Sequence, residues 1–138
     1  MQTVQKVQRQ ELLNWEKWIP KRGEIYLVDL GNEENMDCEQ RGVRPAVILS
    51  NDVGNRMSSI VTIAPISTRK KGLRIHVPVG RETGLKADSF VLTEHIRTVS
   101  KRRFFNNNPV LIGILPQRKI KELEDTIKLE LGFVTWLK

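Results

Sequence analysis

The segment that invites a chemical reading runs from Glu39 to Asp52, EQRGVRPAVILSND. An arginine and a proline, Arg44 and Pro45, stand at the mouth of an apolar run. Proline cannot donate a ladder hydrogen bond, so Pro45 predicts a strand start or an edge. That places Arg44 at the strand's rim, where a guanidinium fork can meet a phosphate in two parallel hydrogen bonds. A second apolar run ends in Pro65-Ile66-Ser67-Thr68 and puts two hydroxyls at another rim. Arg69, Lys70, Lys71 and Arg74 follow at once. An arginine, a hydroxyl and a cationic loop suit a phosphodiester. A salt bridge from Arg44 to Glu39, and plain strand-end roles for Ser67 and Thr68, fit the same residues.

Other chemistries find little support. Metal sites need several His, Cys or carboxylate ligands at defined spacing. The chain has two histidines, His76 and His95, and one cysteine, with no HExxH or CxxC. Neither GxGxxG nor a Walker sequence is present, so no cofactor and no metal is expected. Cys38 lies between Asp37 and Glu39, whose charges oppose a thiolate. The formal net charge of +7 favours a polyanionic partner or serves solubility. The basic cluster at 69–74 and a second one, Lys101-Arg102-Arg103, would hold a phosphate backbone or form solvated loops.

The elements that must carry these groups are short. Strand-forming runs are Glu24 to Leu30, Arg44 to Asp52, Ile60 to Ile66, Leu73 to Val79, Ser89 to Thr93 and Val110 to Leu115. Turn residues separate them, including Gly54 with Asn55, Gly72, Gly80, Gly84 and Asn106 to Pro109. That rhythm predicts a small antiparallel barrel or sandwich. After Pro116, Ile120, Leu123, Ile127 and Leu131 mark one face of a helix that Gly132 would cap. Before it all, Val4, Val7, Leu12, Trp15 and Ile19 predict another helix, which Pro20 stops. At 138 residues the chain makes one domain. The N-terminus has no secretory h-region, no run is long enough for a membrane helix, and a lone cysteine suits a reducing cytoplasm.

Taken in order, several motifs give the chain a resemblance to the MazF/PemK toxin family over about Lys21 to Phe133. They are Lys21 to Leu30, Glu39-Gln40 through Arg44-Pro45 to Asp52, and Ala64 to Thr68. Gly84 to Leu92 and Glu94-His95-Ile96-Arg97-Thr98-Val99 complete the set. The resemblance implies a mainly β (α+β) fold, an SH3-like small antiparallel β-barrel of the MazF/CcdB type with a C-terminal helix. Residues 1–20 would be an N-terminal helical extension and 21–138 the toxin domain. It implies a cytoplasmic homodimer that cuts single-stranded RNA without metal and is held by an acidic, partly disordered antitoxin. The catalytic arginine falls on Arg44, and the hydroxyl position, usually threonine, falls on Ser67. Glu39, Gln40, Thr68, Arg69, Lys70, Lys71, Arg74, Glu94, His95 and Arg97 are the candidate RNA-binding or supporting residues. His95 replaces a frequent glutamine and reads either as a base-recognition or proton-transfer group or as a satisfied polar strand residue. His76 reads as structural. The rival expectations are a gyrase poison resembling CcdB and a non-catalytic nucleic-acid-binding module on an SH3-like barrel, since folds of this kind host many functions.

Overall fold

The structure, a computed structural model, describes residues 17–31, 42–69, 75–105 and 108–135. Seven strands form one curled antiparallel sheet. They are β1 (Glu24–Asp29), β2 (Val43–Ile48), β3 (Ile60–Ser67), β4 (His76–Val79), β5 (Ser89–Leu92), β6 (Arg97–Ser100) and β7 (Leu111–Ile114). Among the described residues, two α-helices, α1 (Asp52–Met57) and α2 (Gln117–Glu130), and three 3-10 turns accompany the sheet. The strand order is β4-β5-β3-β2-β1-β7, with β6 also on β3.

β3 is the axis of the curl. Its first half pairs with β6, from Ile60↔Ser100 to Ile63↔Arg97, and its last residues pair with β5, at Ile66↔Val91 and Ser67↔Phe90. Between Ile63 and Ile66 lie two residues, whereas between Val91 and Arg97 lie five. The three extra residues bulge out as the 3-10 turn Thr93–His95. The interruption falls at Ala64-Pro65, where proline has no N–H to give a partner strand.

Adjacent strand residues face opposite sides of a sheet, and here both sides are covered. Ile25, Val47, Ala64, Ile66, Val77 and Val91 pack on one side against Leu123, Ile120 and Ile127 of α2. Tyr26, Val28, Ala46, Ile48, Ile63 and Val99 form a second cluster on the other side. Double coverage explains why Ala46 to Leu49 reads as a continuous apolar run rather than an alternating one. The open end closes where β7 approaches the turn Arg81–Thr83. A Cβ on Gly113 would lie 1.6 Å from the Thr83 carbonyl oxygen, so only glycine fits there.

The barrel-like, mainly β fold with its C-terminal helix is as expected. Helix α2 ends as its sequence predicts: the Gly132 N–H donates to Leu129 O, the Phe133 N–H donates to Lys128 O, and Gly132 takes φ +80°. Three expectations need correction. Gly54 and Asn55 belong to helix α1, which Asn51 caps by accepting the Gly54 N–H at 2.8 Å; they are not a loop. Leu131 falls off the packed face of α2 and is 58% exposed. Among the described residues near the N-terminus, Trp18, which lies off the predicted stripe, packs on the barrel, 5.1 Å from Tyr26 and 4.8 Å from Phe104, while Ile19, on the stripe, is 45% exposed. The predicted helix over 4–19 lies almost wholly outside the described residues.

Candidate functional site

β2 and β3 pair at Ala46↔Pro65, Val47↔Ala64 and Ile48↔Ile63. The pairing ends at Ala46↔Pro65; Arg44 and Ser67 each lie two residues beyond it on their own strand, so the alternation of side chains puts both on the face of Ala46 and Pro65. Across the other edge of β2, Arg44 pairs with Val28 of β1. The guanidinium stem and the hydroxyl thus rise from one face, on the side of the second apolar cluster.

Ser67 and Thr68 part company here. Ser67 is 6% exposed, and its Oγ accepts the Arg69 N–H at 3.2 Å, a turn that re-aims the chain at the end of β3. Thr68 is exposed and points the other way. Arg44 and Arg69 are exposed. Of the remaining candidates, Glu39, Gln40, Lys70, Lys71 and Arg74 lie outside the described residues.

Arg97 sits on β6 opposite Ile63, on the same face as Arg44 and Ser67. Ser67 lies four residue steps along β3 from Ile63, about 13 Å at roughly 3.3 Å per residue. Nη1 of Arg97 donates to the Leu30 carbonyl at 3.5 Å. Glu94 and His95 lie in the Thr93–His95 bulge. The Glu94 Oε2 lies 2.5 Å from Nε2 of His76, a buried residue of β4. No sequence signal links these two residues, which stand 18 apart. His95 is half-buried in the same turn.

The second basic cluster behaves differently from its expectation. Lys101 is 1% exposed, and its ammonium donates to the Asn55 carbonyl near the end of α1 at 2.5 Å. Burial pushes its pKa below the ordinary lysine value. A charge held so deep cannot meet a phosphate backbone, so Lys101 leaves the candidate nucleic-acid surface. Arg102 and Arg103 stay exposed, and Arg103 Nη1 donates to the Asp29 carbonyl at 3.1 Å. Among the described residues, no three His, Cys, Asp or Glu side chains converge to hold a metal ion, and no helix is long and apolar enough to cross a membrane.

An arginine and a hydroxyl on one face of neighbouring strands can bind and polarise one tetrahedral anion. The guanidinium supplies charge and paired donors, and the hydroxyl supplies one donor. Charge building on phosphoryl oxygens would be met in place, without reorganisation.

Comparison with known proteins agrees with this frame. Residues 21–131 match the PemK-like, MazF-like toxins of type II toxin–antitoxin systems. The chain is 36% identical over 118 residues to the endoribonuclease MazF of Staphylococcus saprophyticus, covering 83% of this chain and 93% of that protein. Among solved structures, the Mycobacterium tuberculosis toxin MazF-mt6 superposes with a TM-score of 0.67 at 26% identity. That match covers 82% of this chain and 99% of the toxin. A mycobacterial endoribonuclease in complex with its cognate antitoxin gives a TM-score of 0.67 at 23% identity, over 86% of this chain and 99% of that one.

Proposed function

The chain belongs to the PemK-like, MazF-like toxins of type II toxin–antitoxin systems, and from that premise we propose that this endoribonuclease cuts single-stranded RNA with Arg44 and Ser67. The ribose 2′-oxygen attacks the adjacent phosphorus, the bond from phosphorus to the 5′-oxygen breaks, and no metal takes part. The 2′ proton passes to water and the leaving 5′-oxygen takes one up. The products are a 2′,3′-cyclic phosphate and a 5′-hydroxyl. Arg44 stabilises the charge that accumulates on the phosphoryl oxygens; an arginine pKa is too high for efficient proton donation. Ser67 hydrogen-bonds a phosphoryl oxygen. Because the nucleophile is the 2′-hydroxyl, DNA is bound and not cut.

The observation that carries this reading is that Arg44 and Ser67 lie on one face of the sheet at the adjoining ends of the paired strands β2 and β3. Arg69 and Arg97 extend the cationic surface, and Lys70, Lys71 and Arg74, which follow β3 in the sequence, and Glu39 and Gln40, which precede β2 in the sequence, add to the RNA contacts. His95 contributes to base recognition. The toxin domain spans 21–138, with 1–20 as a helical extension, and works as a cytoplasmic homodimer. Its antitoxin is an acidic, partly disordered chain that covers Arg44 and the 69–74 cations and folds as it binds.

The deciding experiment digests a defined RNA with purified protein, with and without EDTA, and maps both new ends. Unchanged cutting in EDTA, with cyclic phosphate ends and no cut where the attacking ribose is 2′-deoxy, is the expected result. Cutting that EDTA abolishes, or 5′-phosphate ends, would overturn the mechanism.

A further inference from the structure

A cross-strand row runs from Ser67 across the sheet: Ser67 pairs with Phe90 of β5, and Phe90 pairs in turn with Pro78 of β4. Opposed residues share a face, so Ser67, Phe90 and Pro78 stand side by side on three neighbouring strands, on the face that also carries Arg44 of β2. The neighbours of Phe90 along β5 fix its direction: Ser89 and Val91 are buried, and Val91 packs in the α2-side cluster, so Phe90 points to the opposite side. There it is only half-buried and belongs to neither apolar cluster, and Pro78 beyond it is exposed.

A half-exposed phenyl ring in register beside a phosphate-binding pair has one evident use. With a phosphate above Ser67, the strand bearing Phe90 lies roughly 4.8 Å to the side, within reach of a base on an adjoining ribose. Bases stack on aromatic rings there without regard to their hydrogen-bonding edges. We propose that Phe90 is the stacking platform for a base flanking the scissile phosphate, with Pro78 extending its apolar surface. The assignment rests on the reading of Arg44 and Ser67 given above. It makes Phe90 a specificity-determining residue that favours a purine, the larger stacking surface, at that position.

The test pairs protein variants with altered RNA. Oligoribonucleotides carry an abasic ribose in place of each base flanking the cut in turn, and are cut by wild type, F90A, F90L and F90W. Losing one stacked base costs about 5- to 150-fold in kcat/KM. Wild type should lose that much at one of the two abasic positions. F90A and F90L should lose it on intact RNA and nothing further on the abasic one, while F90W stays near wild type. F90L keeps the apolar bulk, so its folding is preserved while the ring is gone. Wild type indifferent to both abasic positions, or F90L equally impaired on intact and abasic RNA relative to wild type on each, would overturn the assignment. An R44A control separates the two layers: an active R44A defeats the underlying site, whereas an inactive R44A with no Phe90 coupling defeats only the stacking role.

Discussion

Nε2 of His76 lies 2.5 Å from Oε2 of Glu94, and the contact ties β4 to the bulge that separates β5 from β6. The other ring nitrogen, Nδ1, and the other carboxylate oxygen, Oε1, are both buried without a protein partner among the described residues. The two polar groups therefore depend on each other, and removing either strands its mate in the interior.

Each of His76→Ala and Glu94→Ala should then lower stability by about 1–3 kcal/mol, the cost of an orphaned buried group. The double variant should lose little more than one single variant, because the pair acts as a unit. Urea unfolding of the four proteins checks this. Destabilisations that simply add would show that the two residues stabilise the fold independently.

In the proposed mechanism Arg44 and Ser67 divide the work of binding one phosphate. Arg44→Ala should cost about a hundred- to a thousandfold in cleavage, roughly 2.7–4 kcal/mol. Arg44→Lys should recover only part of it, lacking the planar fork. Since Ser67 shares the face of Arg44 and Thr68 does not, Ser67→Ala should cripple cleavage, Ser67→Thr should preserve it, and Thr68→Ala should matter little. Single-turnover rates on one RNA decide the ranking, and the reverse order would shift the register by a residue.

Much of this site is legible in the sequence. Pro45 falls in the first half of β2, which begins two residues earlier at Val43, and Pro65 lies where β3 changes partners; each removes a donor. The turn after β3 is legible in Ser67 and Thr68. What escapes is whatever depends on packing between distant segments. Lys101 reads as a surface cation beside Arg102 and Arg103, yet Asn55, 46 residues earlier, draws its ammonium inward. Trp18 falls outside the apolar stripe ending at Ile19, but Tyr26 of the nearby β1 and Phe104 and Phe105, at the end of the distant 3-10 turn Lys101–Phe104, pack around it. Phe90 carries no special mark within SFVLT; only the pairing of β5 with β3 sets it beside Ser67.

The two kinds of cation in 101–103 should separate cleanly by experiment. Lys101→Met removes a buried charge that donates to a helix carbonyl, so it should change the melting temperature and leave RNA affinity as it was. Arg102→Ala with Arg103→Ala should do the opposite. Each phosphate neutralised by one cation fewer flattens the dependence of log affinity on log salt by about 0.7 for a single strand. Binding of a 2′-deoxy-blocked RNA across a salt series measures it. A flatter slope in Lys101→Met would return Lys101 to the RNA surface.

Tyr26 offers a spectroscopic report on the second cluster, because it is the chain's one tyrosine. Burial, reinforced by the nearby Glu24 carboxylate that accepts its hydroxyl proton at 3.2 Å, pushes its pKa up to about 12 from 10.0. The folded state thus holds the phenolic proton more tightly than the unfolded one. The stability this contributes is complete below pH 10 and drains away as the pH climbs from about 10 to about 12. Tyrosinate absorbance followed against pH should show a midpoint near 12 while the protein stays folded, with the melting temperature falling over the same window. Glu24→Gln should bring the midpoint part of the way down and no further, since burial is the larger cause. A midpoint near 10 in folded wild type would mean that the Tyr26 ring is open to water and that Trp18 does not cover it.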